Sequence, residues 1–314
     1  MHWTAVFLLA TAWAAEYEVG PGKSFERIGQ APWASLEPGD TVLIHWRAEP
    51  YREKWVVCRQ GAEDAPITIR GVPNEDGLLP VIDAGGAVTA QPLNYSNEER
   101  SLIKIGGANV PADLMPKHIV IENLDLRGAR PGNFFTDDSG AQREYVRNAA
   151  SIHIEKGEHF TIRNCVLSDS GNGLFTGSLA ATPTRNVLVE ANHVFGNGIV
   201  GSGFEHNSYT EALGITFQFN RYGPLRPGAN GNNLKDRSAG LVVRYNWIEG
   251  GNRQLDLVET NSPVILEHES YRNTFVYGNV LIEPAGAGNP SARPLWQRQW
   301  RRIKVSQRDS IFFP

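Results

Sequence analysis

Cysteine is nearly absent. Cys58 and Cys165 are the only two among 314 residues, too few for a disulfide scaffold or a cysteine-rich zinc module. No apolar run reaches about 18 residues, which excludes a membrane-spanning helix. An excess of positive charge is missing too: 30 basic residues stand against 34 acidic ones, net −4, whereas the usual nucleic-acid binder is basic. There is no P-loop, metalloprotease helix or Gly-x-Ser-x-Gly elbow. Gly196-Asn197-Gly198-Ile199-Val200-Gly201 matches the dinucleotide fingerprint in letters, but no βαβ unit surrounds it. What remains is 41% hydrophobic and 20% charged, enough for a substantial core.

The two ends differ from the body. Met1 to Ala10 holds a short apolar run, and Ala12-Trp13-Ala14 follows as a small-x-small cleavage site. Residues 1–14 are therefore expected to be an export signal, and the mature protein to be secreted or periplasmic. From Ser291 to Pro314, six basic residues stand against Asp309 alone, in contrast to the acidic body. This tail is expected to be either a basic surface segment or the product of a reading-frame slip. Codons exist for Trp296 to Phe313 that, shifted by one base, spell an acidic and strand-like continuation.

Between the ends, residues 15–290 read as one domain with a repeat. Six segments run apolar alternation, Asn, then a second short strand. Their asparagines are Asn123, Asn164, Asn192, Asn220, Asn246 and Asn279, separated by 41, 28, 28, 26 and 33 residues. Period-two alternation without helical periodicity means strands, and short strands repeating at this interval mean a solenoid. Asparagine at a fixed bend tolerates left-handed backbone angles and can bond its copy in the next coil. A third strand is expected in each coil around Leu174, Phe204, Leu234 and Leu255, all pointing inward. The expected fold is all-β, a parallel β-helix, with a capping helix within Ser24–Leu36 to cover the first coil's open edge. Arg130 to Arg147 reads as a loop insertion. Trp46, Trp55 and Tyr51 are candidates for stacking on sugars or for packing the cap.

Two stretches carry a resemblance. Leu36-Glu37-Pro38-Gly39-Asp40-Thr41-Val42, with Tyr51-Arg52-Glu53 after it, is similar to the opening coil of alginate, chondroitin and related pectate lyases. Asn233-Leu234-Lys235-Asp236-Arg237-Ser238, followed by Val243-Arg244-Tyr245-Asn246, resembles their lysine-bearing strand. The chain thus resembles the right-handed parallel β-helix superfamily of secreted polysaccharide-degrading enzymes over about residues 16–290. The resemblance implies a lysine base, an assisting arginine and, in many members, calcium. It departs from that pattern at Asn230-Gly231-Asn232-Asn233, which holds no acidic pair.

With Leu174, Phe204, Leu234 and Leu255 inward, alternate residues face solvent. One outward column would then read Phe175, Glu205, Lys235, Asp256, with Asn207 and Arg237 two positions on. Such a groove suits a polymer. β-Elimination from a uronate needs its carboxylate neutralised and its C5 proton removed. Lys235 is the expected base; Arg237 or Arg244 would neutralise the carboxylate. His206 and Tyr209 are candidate acids. Glu205, Asn207, Tyr209, Arg253 and Asp256 are expected to bind substrate, with Glu205, Asn207 and Asp256 as oxygen ligands should Ca2+ be used. The partner expected is an acidic polysaccharide, with no nucleic acid, no transmembrane segment and a monomeric state. A glycoside hydrolase pairing Glu205 with Asp256 or Asp236, and a non-catalytic carbohydrate-binding solenoid, are the alternatives.

Overall fold

A computed structural model describes residues 14–179 and 181–283. The expected export signal (but for Ala14) and the basic tail therefore lie outside the described residues. Three parallel sheets run the length of the domain. The first has nine strands in strict sequence order, from Glu16–Val19 through Thr41–His45, Ile67–Val72, Lys117–Glu122, Glu158–Arg163, Arg185–Glu190, Leu213–Gln218 and Ala239–Arg244 to Phe275–Tyr277. A second sheet of seven strands and a third of ten complete the coils. The molecule is a right-handed parallel β-helix.

Alternation sets which side chains enter. In the first sheet Ile69, Ile121, Ile162, Val189, Phe217 and Val243 pair in register on successive coils, and all are fully buried. The second sheet does the same with Ile82, Leu126, Leu167, Val194, Tyr222 and Ile248. Burying each such side chain stabilises the stack by about 1.5–3 kcal/mol. No coil can do this alone, because its inward residues need the coil on either side.

The bend between these sheets is two columns, which the sequence had merged into one. Asn123, Asn164, Ala191, Phe219, Tyr245 and Gly278 have φ between 53° and 65°. The residue after each is buried, Asn279 only partly, and there the ladder forms. Asn192, Asn220, Asn246 and Asn279 each offer Oδ1 to the backbone N–H of the preceding coil, at 2.9–3.0 Å. Asn123 and Asn164 belong to the left-handed column instead; Leu124 and Cys165 occupy their ladder sites. A second ladder, Asn197–Asn207–Asn233, lies at the bend before the third sheet.

Ser24–Leu36 forms no capping helix. It holds one 3-10 turn, Ile28–Gln30, because Gly29 and Pro32 deny a longer helix and Trp33 is drawn inward to stack on Trp55 at 5.0 Å. The Glu53 carboxylate accepts from the N–H groups of Ile28 and Gly29 at 3.0 and 2.6 Å. Tyr51 and Trp55 are fully buried and so belong to the core. The Arg130–Arg147 insertion contains a hairpin, Phe134–Thr136 with Gln142–Glu144, added to the third sheet.

Candidate active site

The third sheet carries the site. Its strands are Glu53–Val57, Ser101–Ile105, Ala150–Ile154, Asn172–Thr176, Ser208–Thr210, Leu234–Asp236 and Leu255–Leu257, edged by the short strands of residues 87–89, 134–136 and 142–144. Leu174, Ser208, Leu234 and Leu255 pair in register and face inward. The outward column is therefore Val56, Lys104, His153, Phe175, Tyr209, Lys235 and Asp256.

This corrects the expected register in one coil. Phe204 is 81% exposed, not an inward residue, and Glu205 is not in the column; Tyr209 is. The chain leaves the coil after Asn197 and rejoins it at Asn207, so residues 198–206 form a loop whose length the even Leu174–Phe204–Leu234 spacing concealed. The next coil does likewise over residues 224–232, and the two loops bond to each other through Gly201 N–H to Gly228 O and Asn230 N–H to Ser202 O, both 2.8 Å. Together they wall one side of the column. Gly231 is obligatory there, since a Cβ would lie 1.8 Å from the Glu205 carbonyl oxygen.

From that wall come Glu205, His206 and Asn232. His206 is fully buried, and its Nδ1 accepts from the Asn232 N–H at 2.8 Å. Burial, helped by the nearby Lys235 charge, pushes it down to about 3. The ring is therefore neutral with its proton on Nε2, which has no partner. It is a donor, edge-on to Tyr209 at 5.2 Å, and not a base. Glu205 is buried 3.8 Å from Arg147, with Oε2 unpartnered. Asp256 accepts from Asn232 Nδ2 at 2.5 Å and lies 3.7 Å from Arg253.

Tyr209 is the centre of the cluster. Lys235 Nζ and the Arg237 guanidinium lie 4.8 and 5.7 Å from its ring centroid, and Phe175 meets it edge-on at 5.6 Å. Burial lowers the Lys235 ammonium, Arg237 and Arg253 push the same way, and Asp256 opposes without reversing the shift. Arg237 spends Nη1 on the Glu259 carbonyl at 3.1 Å and keeps Nε buried and unpartnered. Neither Lys235 nor Arg237 has a carboxylate within ion-pairing distance among the described residues.

Other expected site residues are elsewhere. Arg244 is on the first sheet, bonded to Gln218 at 2.8 Å and to the Tyr277 hydroxyl at 3.1 Å, so it does not join Lys235. Asn207 points into the solenoid, with Nδ2 on Gly223 O and Asn233 Oδ1 at 2.9 and 2.7 Å. It is a ladder residue and binds neither sugar nor metal. Asp236 is turned inward as well, accepting from Thr210 Oγ1 at 2.6 Å and Ser238 Oγ at 2.8 Å, which removes it as a hydrolytic carboxyl. With Asn207 spent inside and Glu205 out of register, the expected calcium ligands do not converge. Among the described residues no group of three or more His, Cys, Asp or Glu side chains is placed to hold a metal.

Sequence reasoning missed Arg100, His153, Asn232 and Arg147. The strands Ser101–Ile105 and Ala150–Ile154 belong to coils without the ladder asparagine that marks the later ones. Their own alternation, read from Ile103 and Ile152, would have put Lys104 and His153 outward.

No family model and no curated protein matches this chain. Among solved structures it is similar to an alginate lyase from Paenibacillus sp. str. FPU-7, with 14% identity over 81% of this chain and 70% of that one, at a TM-score of 0.49. YbhC of Escherichia coli gives 12% identity, 90% and 86% coverage and a TM-score of 0.48. A pectin methylesterase from Aspergillus niger gives 11%, 91% and 90%, and 0.41. None of these similarities bears on the reaction.

Proposed function

We propose that the protein is an exported enzyme that cleaves an acidic, uronate-containing polysaccharide by β-elimination, acting as a monomer. One observation carries the reading. Lys235 and Arg237, half-buried cations, flank an aromatic ring on an outward column, and among the described residues neither has a carboxylate within ion-pairing distance. Desolvating a cation is costly unless a counter-charge comes with it, and a substrate carboxylate would be that counter-charge.

In this scheme Arg237 pairs with the uronate carboxylate and draws charge from the developing enolate. Neutral Lys235 Nζ removes the C5 proton. The C5–H electrons form the C4=C5 double bond, the C4–O bond breaks, and the leaving oxygen takes a proton from the Tyr209 hydroxyl. Lys235, now an ammonium, then returns this proton to the Tyr209 phenolate, which restores both groups with none left over. The His206 ring, perpendicular to Tyr209 at 5.2 Å, packs against it and helps hold it in place. The partly exposed run Phe175, Tyr209 and Lys235 on three successive strands suits a polymer lying along the solenoid axis.

The test is a panel of uronate polymers followed by absorbance of the unsaturated product. Wild type should release it from at least one polymer, and Lys235→Ala should lower kcat by about 10²–10⁴-fold. New reducing ends without that chromophore would instead indicate hydrolysis, and an undiminished rate in Lys235→Ala would remove it as the base.

A further inference from the structure

Arg100 has no part in the chemistry above, yet it is built into the same face. It ends the 3-10 turn Glu98–Arg100, and its guanidinium lies over the Phe175 ring, 5.0 Å from the centroid. Its Nε is buried without a partner. No carboxylate comes within ion-pairing distance of it among the described residues; Glu155 is taken by Lys104 at 2.8 Å. Burial is the main influence on this cation and lowers its proton affinity, with Glu155 and Glu99 opposing from farther away.

The turn beneath it is pinned. Lys54 is fully buried, with Nζ 3.5 Å from the Phe135 ring centroid and 4.6 Å from that of Tyr145, and it donates to the Glu98 carbonyl at 2.6 Å. Thr89 Oγ1 donates to the Glu98 carboxylate at 2.7 Å. Arg100 thus leaves a rigid base, and its stacking on Phe175 removes much of its remaining freedom. Beside it His153 is buried, 5.1 Å from Phe175, and its Nδ1 also lacks a partner.

Register locates this cation along the substrate. Phe175 pairs with Tyr209, and Tyr209 with Lys235, so the ring beneath the Arg100 guanidinium stands two strand steps from Lys235, about 10 Å at the spacing of adjacent strands. In a two-fold ribbon of 1,4-linked pyranoses, neighbouring carboxylates face opposite sides, and those on one side recur at every second sugar. Two sugars span a similar length. We propose that Arg100, seated on Phe175, binds the carboxylate of a second uronate two sugars from the one attacked by Lys235. This rests on the acidic-polysaccharide reading and makes the enzyme a reader of uronate at alternate positions of its substrate.

The experiment measures binding, so that it does not depend on elimination. De-esterified 1,4-linked oligouronates, a disaccharide and a hexasaccharide, are titrated calorimetrically into the full chain bearing Lys235→Met, with and without Arg100→Ala or Arg100→Gln. Thermal melts of each variant confirm folding. Loss of Arg100 should weaken the hexasaccharide about tenfold or more and leave the disaccharide unchanged. Equal effects on both lengths, or none on the hexasaccharide, would overturn the proposal. Absence of hexasaccharide binding by the Lys235→Met chain itself would fell the proposal together with the reading beneath it. Length-dependent binding without unsaturated product from wild type would leave Arg100 standing and refute only the lyase chemistry.

Discussion

Removing one rung of the asparagine ladder tests the stacked-coil account most directly. Asn220 Nδ2 donates to Val189 O at 2.8 Å and to Asn246 Oδ1 at 2.9 Å. Its Oδ1 accepts from the N–H and Nδ2 of Asn192 at 2.9 and 3.0 Å. The residue is 2% exposed, so water cannot replace these bonds. Asn220→Ala leaves the Asn192 N–H, one Asn192 Nδ2 hydrogen and the Val189 carbonyl without these partners, while Asn246 Oδ1 keeps the Asn220 N–H, at about 1–3 kcal/mol for each buried unsatisfied group. Even after relaxation and non-additivity the loss should be about 4 kcal/mol or more, in the extreme tail of single substitutions. Asn164 is the control. It looks like the same repeat asparagine in sequence, but it is exposed at φ 53°. Asn164→Gly should change stability by no more than about 0.5 kcal/mol, because glycine takes that conformation freely. Urea unfolding followed by circular dichroism reads both. Equal losses in the two variants would refute the assignment of buried ladder and left-handed corner to separate columns.

Three further outcomes follow from the same geometry. Burial pushes His153 and His206 down to about 3 from 6.5; below pH 6.5 the unfolded chain takes up protons that the native state refuses. Stability from each should fall as pH drops from 6.5 towards 3, by about 2 kcal/mol per histidine at pH 5, and unfolding of His153→Gln and His206→Gln across this range should show flatter pH dependence than wild type. The rising, acid-side limb of the pH–rate profile, set by deprotonation of Lys235, should move up in Arg237→Gln, which removes a cation next to Lys235, and down in Asp256→Asn, which removes an anion; shifts of the same sign would contradict Lys235 as the titrating base. Gly231→Ala, whose Cβ would meet the Glu205 carbonyl oxygen at 1.8 Å, should displace the loop bearing Glu205 and His206 and cost activity well beyond any change in melting temperature.

Local signals in the sequence determined the fold class. Period-two apolar alternation followed by a bend residue is a property of a few adjacent side chains, and its repetition admits only stacked coils. The pairing of Lys235 with Asp256 was legible for the same reason, since the coil from Leu234 to Leu255 runs through short bends with nothing inserted. The short N-terminal turn in place of a helix turned on Trp33 finding Trp55, a contact between elements. Tertiary structure alone decided the composition of the site. Residues 198–206 leave the coil and return, so counting along the chain put Glu205 where Tyr209 stands and made an outward ligand of Asn207, which faces inward. Arg100 is further still from sequence reasoning, because its place over Phe175 depends on a turn held by Lys54 from a different coil. In a solenoid the strands obey periodicity, whereas the loops between them have free length, and the functional face is built where the two meet.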